Sequence, residues 1–185
     1  MSDTPLSDLD DRLLQTMTAP SARPAVAKVL KDHLDAARSR AAARLTQGLS
    51  GRDVAHLYAG SADDMLVALW RFTTETLYPS HNPTEAEKLS LLAVGGYGRG
   101  VLAPFSDLDL LFLRPWKTTA RSETVAEFIL HVLWDMGLKV GSSVRSVDEC
   151  LSLARNDMTI RTTLLEARWL AGDEGVASDF LTRFR

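Results

Sequence analysis

Cysteine is nearly absent. Cys150 is the single one among 185 residues, so no disulfide can close within the chain, and a reducing compartment fits. Long apolar runs are missing too, and none approaches the roughly 20 residues that a membrane-crossing helix needs. The start, Met1-Ser2-Asp3-Thr4-Pro5, lacks the basic opening and apolar stretch of a secretory signal. Together these gaps predict a soluble, cytoplasmic protein with no membrane partner. A surplus of positive charge is also lacking: 21 Lys and Arg face 24 Asp and Glu, for a net charge of −3. No global basic field is available to hold a polyanion, which argues against a nucleic-acid partner while leaving room for a local basic groove. The four histidines, His33, His56, His81 and His131, have no metal-ligand spacing. No repeat of fixed period runs through the chain.

What is present suffices for one domain, because 45% of the residues are hydrophobic and a chain of this length can bury a core. Residues 1–24 read as a flexible polar arm with Pro5, Pro20 and Pro24, holding at most one helical turn around Leu13-Leu14. Residues 25–87 read as a helical region. Val26, Val29, Leu30, Leu34, Ala37, Ala41 and Leu45 recur at helical spacing up to Gly48. Leu66, Leu69, Trp70, Thr73 and Leu77 do so in a second helical stretch, with a break expected near Gly60. The plainest role for these helices is scaffold.

From residue 88 to 185 the pattern changes. Leu89-Ser90-Leu91-Leu92-Ala93-Val94 is a short apolar run bounded by glycine, which predicts a buried strand. Ser106 to Arg114 predicts a second strand and Arg121 to Met136 a helix closed by Gly137. Leu138 to Arg145 predicts a third strand, and Val147 to about Phe184 a succession of helices broken near Asp157 and Gly172. The order gives an α+β (α/β) plan with a small mixed sheet, helices before it and helices after it. The chain stops at Arg185 inside a helical pattern, so it is expected to be part of a longer protein.

Chemistry concentrates between Ala93 and Arg114. Residues two apart on a strand share a face, so Asp107 and Asp109 point the same way while Leu108, Leu110 and Phe112 point into a core. Two carboxylates side by side on an apolar strand repel each other. A divalent cation such as Mg²⁺, which takes hard oxygen ligands from carboxylates and phosphates, would relieve that repulsion. Upstream, Gly95, Gly96, Gly98 and Gly100 leave backbone bare enough to approach a triphosphate, and Arg99 is placed to add a charge-assisted contact. Taken alone, a glycine-rich turn is more often only a turn, and an Asp-x-Asp pair is often a solvated edge or a cap. The turn is no P-loop, because no Gly-Lys-Ser/Thr follows, and it lacks dinucleotide-fingerprint spacing. Other candidates read more simply. Cys150 sits at an apolar helix position, Trp70, Trp134 and Trp169 recur among apolar neighbours as packing, and Asp63-Asp64 and Asp8-Asp10-Asp11 read as solvated.

Val94-Gly95-Gly96 followed by Asp107-Leu108-Asp109-Leu110 resembles the signature of the DNA polymerase β-like nucleotidyltransferase superfamily. The longer strings GGYGRGVLAPFSDLDLLFL and LWDMGLKVGSSVRSVDECLSLARNDMTIRTTLLEARWLAGD are similar to the bacterial PII uridylyltransferase/uridylyl-removing enzymes, over about residues 88–174. That resemblance implies a nucleotidyltransferase-type sheet in which Gly95 and Gly96 hold UTP and Asp107 and Asp109 bind Mg²⁺ as the catalytic pair. Ser106 either contacts phosphate or caps the strand. The implied reaction moves UMP from UTP to a tyrosine of the PII signal protein and releases pyrophosphate. It also implies further domains, absent from these residues, that remove UMP and sense glutamine.

One departure stands out. The superfamily usually carries a third carboxylate on the next strand, whereas this chain reads Val140-Gly141-Ser142-Ser143-Val144-Arg145. Asp148 and Glu149 follow, but Ser146-Val147-Asp148-Glu149 resembles a helix start, where acids suit the dipole. Arg145 either faces the phosphates or is a strand-end charge. Two other functions therefore stay open: a catalytically incomplete nucleotide-binding regulatory domain, and a nucleotidyltransferase with another acceptor.

Overall fold

The structure, a computed structural model, describes residues 6–18, 22–81 and 83–185. Helices come first: α1 (Leu6–Gln15), α2 (Ala22–Thr46) and α3 (Gly51–Arg71), the last running on as π-helix through Phe72–Leu77. Then β1 (Ser90–Ala93), the single turn α4 (Gly95–Gly98), β2 (Leu108–Arg114), α5 (Ala120–Asp135) and β3 (Val140–Ser146) follow. The chain closes with α6 (Val147–Asn156), α7 (Met158–Leu165), β4 (Arg168–Gly172) and α8 (Glu174–Phe184).

The four strands form one mixed sheet in the order β3-β2-β1-β4. β1 lies antiparallel to both β2 and β4, and β2 lies parallel to β3. That is the expected small mixed sheet between helical segments. Period two along β2 gives the sheet two buried faces. Leu108, Leu110 and Phe112 join Leu91 and Ala93 in a core shared with α1, α2, α3 and α5. Leu111 and Leu113 join Leu92 and Val94 in a second core against α6, α7 and α8. The expectation of a single apolar face on β2 accounts for only the first of these.

Several expectations need correction. Leu6–Gln15 is a ten-residue helix where a flexible arm was expected. Its Leu9 and Leu13 are one helical turn apart and fully buried, which ties it to the first core. Residues 1–5 and 19–21 of that arm lie outside the described residues. No break occurs at Gly60, whose missing side chain meets nothing nearby, so α3 passes through it. Arg168–Gly172 is a strand inside the stretch read as helices. Trp134 and Trp169 are 50% and 39% exposed, and of the three tryptophans read as packing only Trp70 is buried. Asp63 is no solvated acid either: it accepts from Tyr97 and Arg168.

Candidate active site

The site forms where three strand ends meet. β1 leaves the sheet at Val94, whose N–H donates to the Asp109 carbonyl at 3.0 Å, and the chain turns at once into the single helical turn Gly95–Gly98. Gly95 has φ +55°, a conformation that glycine adopts without strain. Asp109 stands on β2 directly opposite Gly141 of β3. Both neighbouring glycines make room for its carboxylate. A Cβ on Gly95 would lie 3.0 Å from Asp109 Oδ2, and one on Gly141 would lie 2.5 Å from Oδ1.

The electrostatics fit a cation site. Burial, and then the charge of Asp107, which immediately precedes β2, hold the Asp109 carboxyl above its ordinary value. Asp107 is exposed and Asp109 half-buried. Among the described residues neither carboxylate has an ion-pair partner. A pair of hard oxygen donors, crowded, uncompensated and open to solvent, suits a divalent cation that phosphate and water complete. Beside Asp109 runs a cleft of about 250 Å³ lined by Ser142, Ser143, Arg145, Thr159 and Thr163. A larger hollow of about 680 Å³ between α2 and α3 holds none of these groups.

The other residues singled out in the sequence divide. Arg99 is exposed, and its Nη2 lies 3.5 Å from where a Cβ of Gly96 would be. That distance is ordinary contact, so no protein atom demands glycine at 96. Ser106 is exposed, with its N–H donating to the Ala103 carbonyl at 3.1 Å. Arg145 lines the cleft with no ion pair among the described residues. Asp148 and Glu149 do not join the pair. Asp148 is bonded to Arg183, while Glu149 completes the capping box of α6 with Ser146 and takes Arg114 Nη2 at 2.9 Å. The Ser146 N–H, above all, holds the Glu149 carboxyl below its ordinary value. Among the described residues no three His, Cys, Asp or Glu side chains gather as a metal site. Burial pushes the Cys150 thiol up to about 11, so it packs as core.

Sequence reasoning missed what Gly141 does. The Asp109 carboxylate rests over Gly141, in the space that a side chain there would take. Gly141→Ala should therefore fold normally, since the obstructing atom is the movable end of a side chain, yet displace Asp109. Divalent-cation affinity is expected to fall about tenfold, since charge–metal contacts depend on placement to well under 1 Å. Titration of the apo-protein with Mn²⁺, followed by electron paramagnetic resonance, measures it. An unchanged affinity would mean that the carboxylate does not need its place over Gly141.

Residues 81–170 match the nucleotidyltransferase domain family. The bifunctional uridylyltransferase/uridylyl-removing enzyme of Phenylobacterium zucineum (strain HLK1) is 52% identical over 163 residues, 88% of this chain. That of Caulobacter vibrioides (strain NA1000 / CB15N) is 52% identical over 157 residues, 85% of this chain. That of Rhodopseudomonas palustris (strain ATCC BAA-98 / CGA009) is 48% identical over 162 residues, again 88% of this chain. In each case the match spans 17% of the relative's length. Among the described residues no helix is long and apolar enough to cross a membrane. Residues 81–170 thus match the nucleotidyltransferase domain family, and the chain is about half identical, over most of its length, to bifunctional uridylyltransferase/uridylyl-removing enzymes.

Proposed function

We propose that residues 88–185 transfer UMP from UTP to a tyrosine of the PII signal protein in the cytoplasm, with residues 25–87 as their support. The observation that carries the reading is the uncompensated pair Asp107 and Asp109 beside the turn at Gly95 and Gly96. The tyrosine hydroxyl gives up its proton to solvent as its oxygen attacks the α-phosphorus, the bond from that phosphorus to the bridging oxygen breaks, and pyrophosphate leaves. Asp107 and Asp109 would hold Mg²⁺, which supplies neutralisation of the triphosphate charge when bound. Gly96, where no neighbouring atom requires glycine, leaves backbone open to the phosphates; Arg99 beside it and Arg145, which lines the cleft four residues beyond Gly141 on β3, carry positive charge that has no ion-pair partner among the described residues.

The test uses the intact protein with UTP labelled at the α-phosphate, Mg²⁺ and a PII protein. Label on a PII tyrosine is the expected result, and its absence under UTP-saturating conditions overturns the reading. One observation favours a second reading: Gly141 occupies the position of the third acid, and Asp148 and Glu149 are engaged elsewhere. A domain that binds UTP without turning it over would titrate with Mg²⁺–UTP and label nothing. Label on a different acceptor would instead point to another substrate of the same chemistry.

A further inference from the structure

The glycine turn is gripped from behind by residues remote from the carboxylate pair. Tyr97, at its centre, is buried, and its hydroxyl donates to Asp63 Oδ1 of α3 at 2.5 Å. Asp63 also receives Arg168 of β4 in a fork, Nη1 to Oδ2 at 2.8 Å and Nη2 to Oδ1 at 3.1 Å. Arg168 reaches onward, with Nε donating to the Gly98 carbonyl at 3.2 Å and its guanidinium 5.6 Å from the Tyr97 ring centroid. Two further contacts come from α3: His56 Nδ1 meets the Gly100 carbonyl at 2.8 Å, and Leu102 N–H donates to the Ala55 carbonyl at 3.1 Å.

An exposed ion pair contributes little, but here the Arg168 and Asp63 side chains are only 33% and 27% exposed. The fork is bidentate and shares its acceptor with a buried phenol, the geometry in which such contacts are strong. Its target is the segment of the chain least able to hold itself. Four of the six residues from 95 to 100 are glycine, which gives a free backbone many conformations. A turn that must be ordered when ligand arrives weakens binding by the entropy of that ordering.

We propose that Asp63, acting through Tyr97 and Arg168, is a positioning residue for the nucleotide: it fixes the glycine turn in the conformation that meets the triphosphate, without touching substrate itself. The inference rests on the reading that this turn receives the phosphates of UTP.

Tyr97→Phe and Asp63→Asn in the full-length protein test it, each compared with the wild type for melting temperature, Mg²⁺–UTP dissociation constant, KM and kcat. Amide hydrogen exchange across residues 95–100 is followed in parallel. Both variants are expected to be folded at the assay temperature, to exchange faster in the turn and to bind UTP about tenfold more weakly, the scale of one lost hydrogen bond to a charged group. The change should fall on KM more than on kcat, and the double variant should bind no worse than the weaker single one, because both act through one network. Asp32→Asn, on the exposed face of α2, should leave all four quantities unchanged. If wild type binds UTP and folded Tyr97→Phe binds it equally well, the proposal fails and the network only stabilises the fold. That variant loses one hydroxyl and keeps its ring, so it decides the matter even where Asp63→Asn does not fold. If wild type itself does not bind Mg²⁺–UTP, the reading of the turn falls, and this proposal with it.

Discussion

Asp107→Asn in the intact protein is expected to lower UMP transfer about a hundredfold to a thousandfold, or ~3–4 kcal/mol of transition-state stabilisation at 1.36 kcal/mol per tenfold. Asparagine keeps the size of the side chain and removes an anionic ligand. The fold should not suffer, because Asp107 is exposed and outside both cores. Stability without metal should rise slightly at neutral pH. Asp109 titrates above its ordinary value partly because of Asp107, so its ionised form costs the folded state stability, and that cost appears as pH rises through the carboxylate range. Below that range Asp109 is protonated and the advantage of the variant should vanish. Steady-state transfer assays and melting curves at neutral and acid pH check the two halves. Transfer at the wild-type rate would remove Asp107 from the site.

Gly98→Ala should act in the opposite way, by damaging the fold. A Cβ there would fall well inside contact of the Glu166 carbonyl oxygen, 2.8 Å from the carbonyl carbon and 3.2 Å from the Ala93 carbonyl oxygen. All three neighbours are backbone, held by α7, β4 and β1, so no side chain can swing aside as Asp109 can from residue 141. Overpacking against backbone belongs at the upper end of its usual range, about 3 kcal/mol. For a domain of this size that lowers the melting temperature by about 6–12 °C. Calorimetry of the variant decides it, and an unchanged melting temperature would mean that the junction between α7 and β4 yields freely. Two glycines of one motif thus serve different ends: Gly98 because the protein needs the space, Gly96 with no protein atom in need of it.

These particulars show what could be read from the chain. β2 and the turning of its Leu108 and Leu110 away from Asp109 were legible because period two is written into Asp107-Leu108-Asp109-Leu110. α2 and α5 were legible from periodicity and from the glycines that follow them, Gly48 and Gly137. β4 was not: Arg168-Trp169-Leu170-Ala171-Gly172 is five residues long, and its strand character comes from pairing with distant β1. Asp63 looked solvated beside Asp64 because its partners, Tyr97 and Arg168, are remote in sequence and adjacent only after folding. The place of Asp109 over Gly141 was hidden for the same reason. The sequence displays a missing acid at 141, while only the register shows whose carboxylate uses the space.

The brace on the glycine turn sets an order of events during synthesis. The turn and β2 are complete once Arg114 has been made, and the Asp63 acceptor has been made long before. Arg168, which ties them together, is added only after α5, β3, α6 and α7. A chain emerging from the ribosome amino terminus first would therefore carry both carboxylates and all four glycines of the turn while the far edge of the sheet, along β1, is still bare. Contacts this distant in sequence form late and slowly. The Tyr97–Asp63 half of the brace can then form early, and its Arg168 half closes only in a late step, when β4 docks.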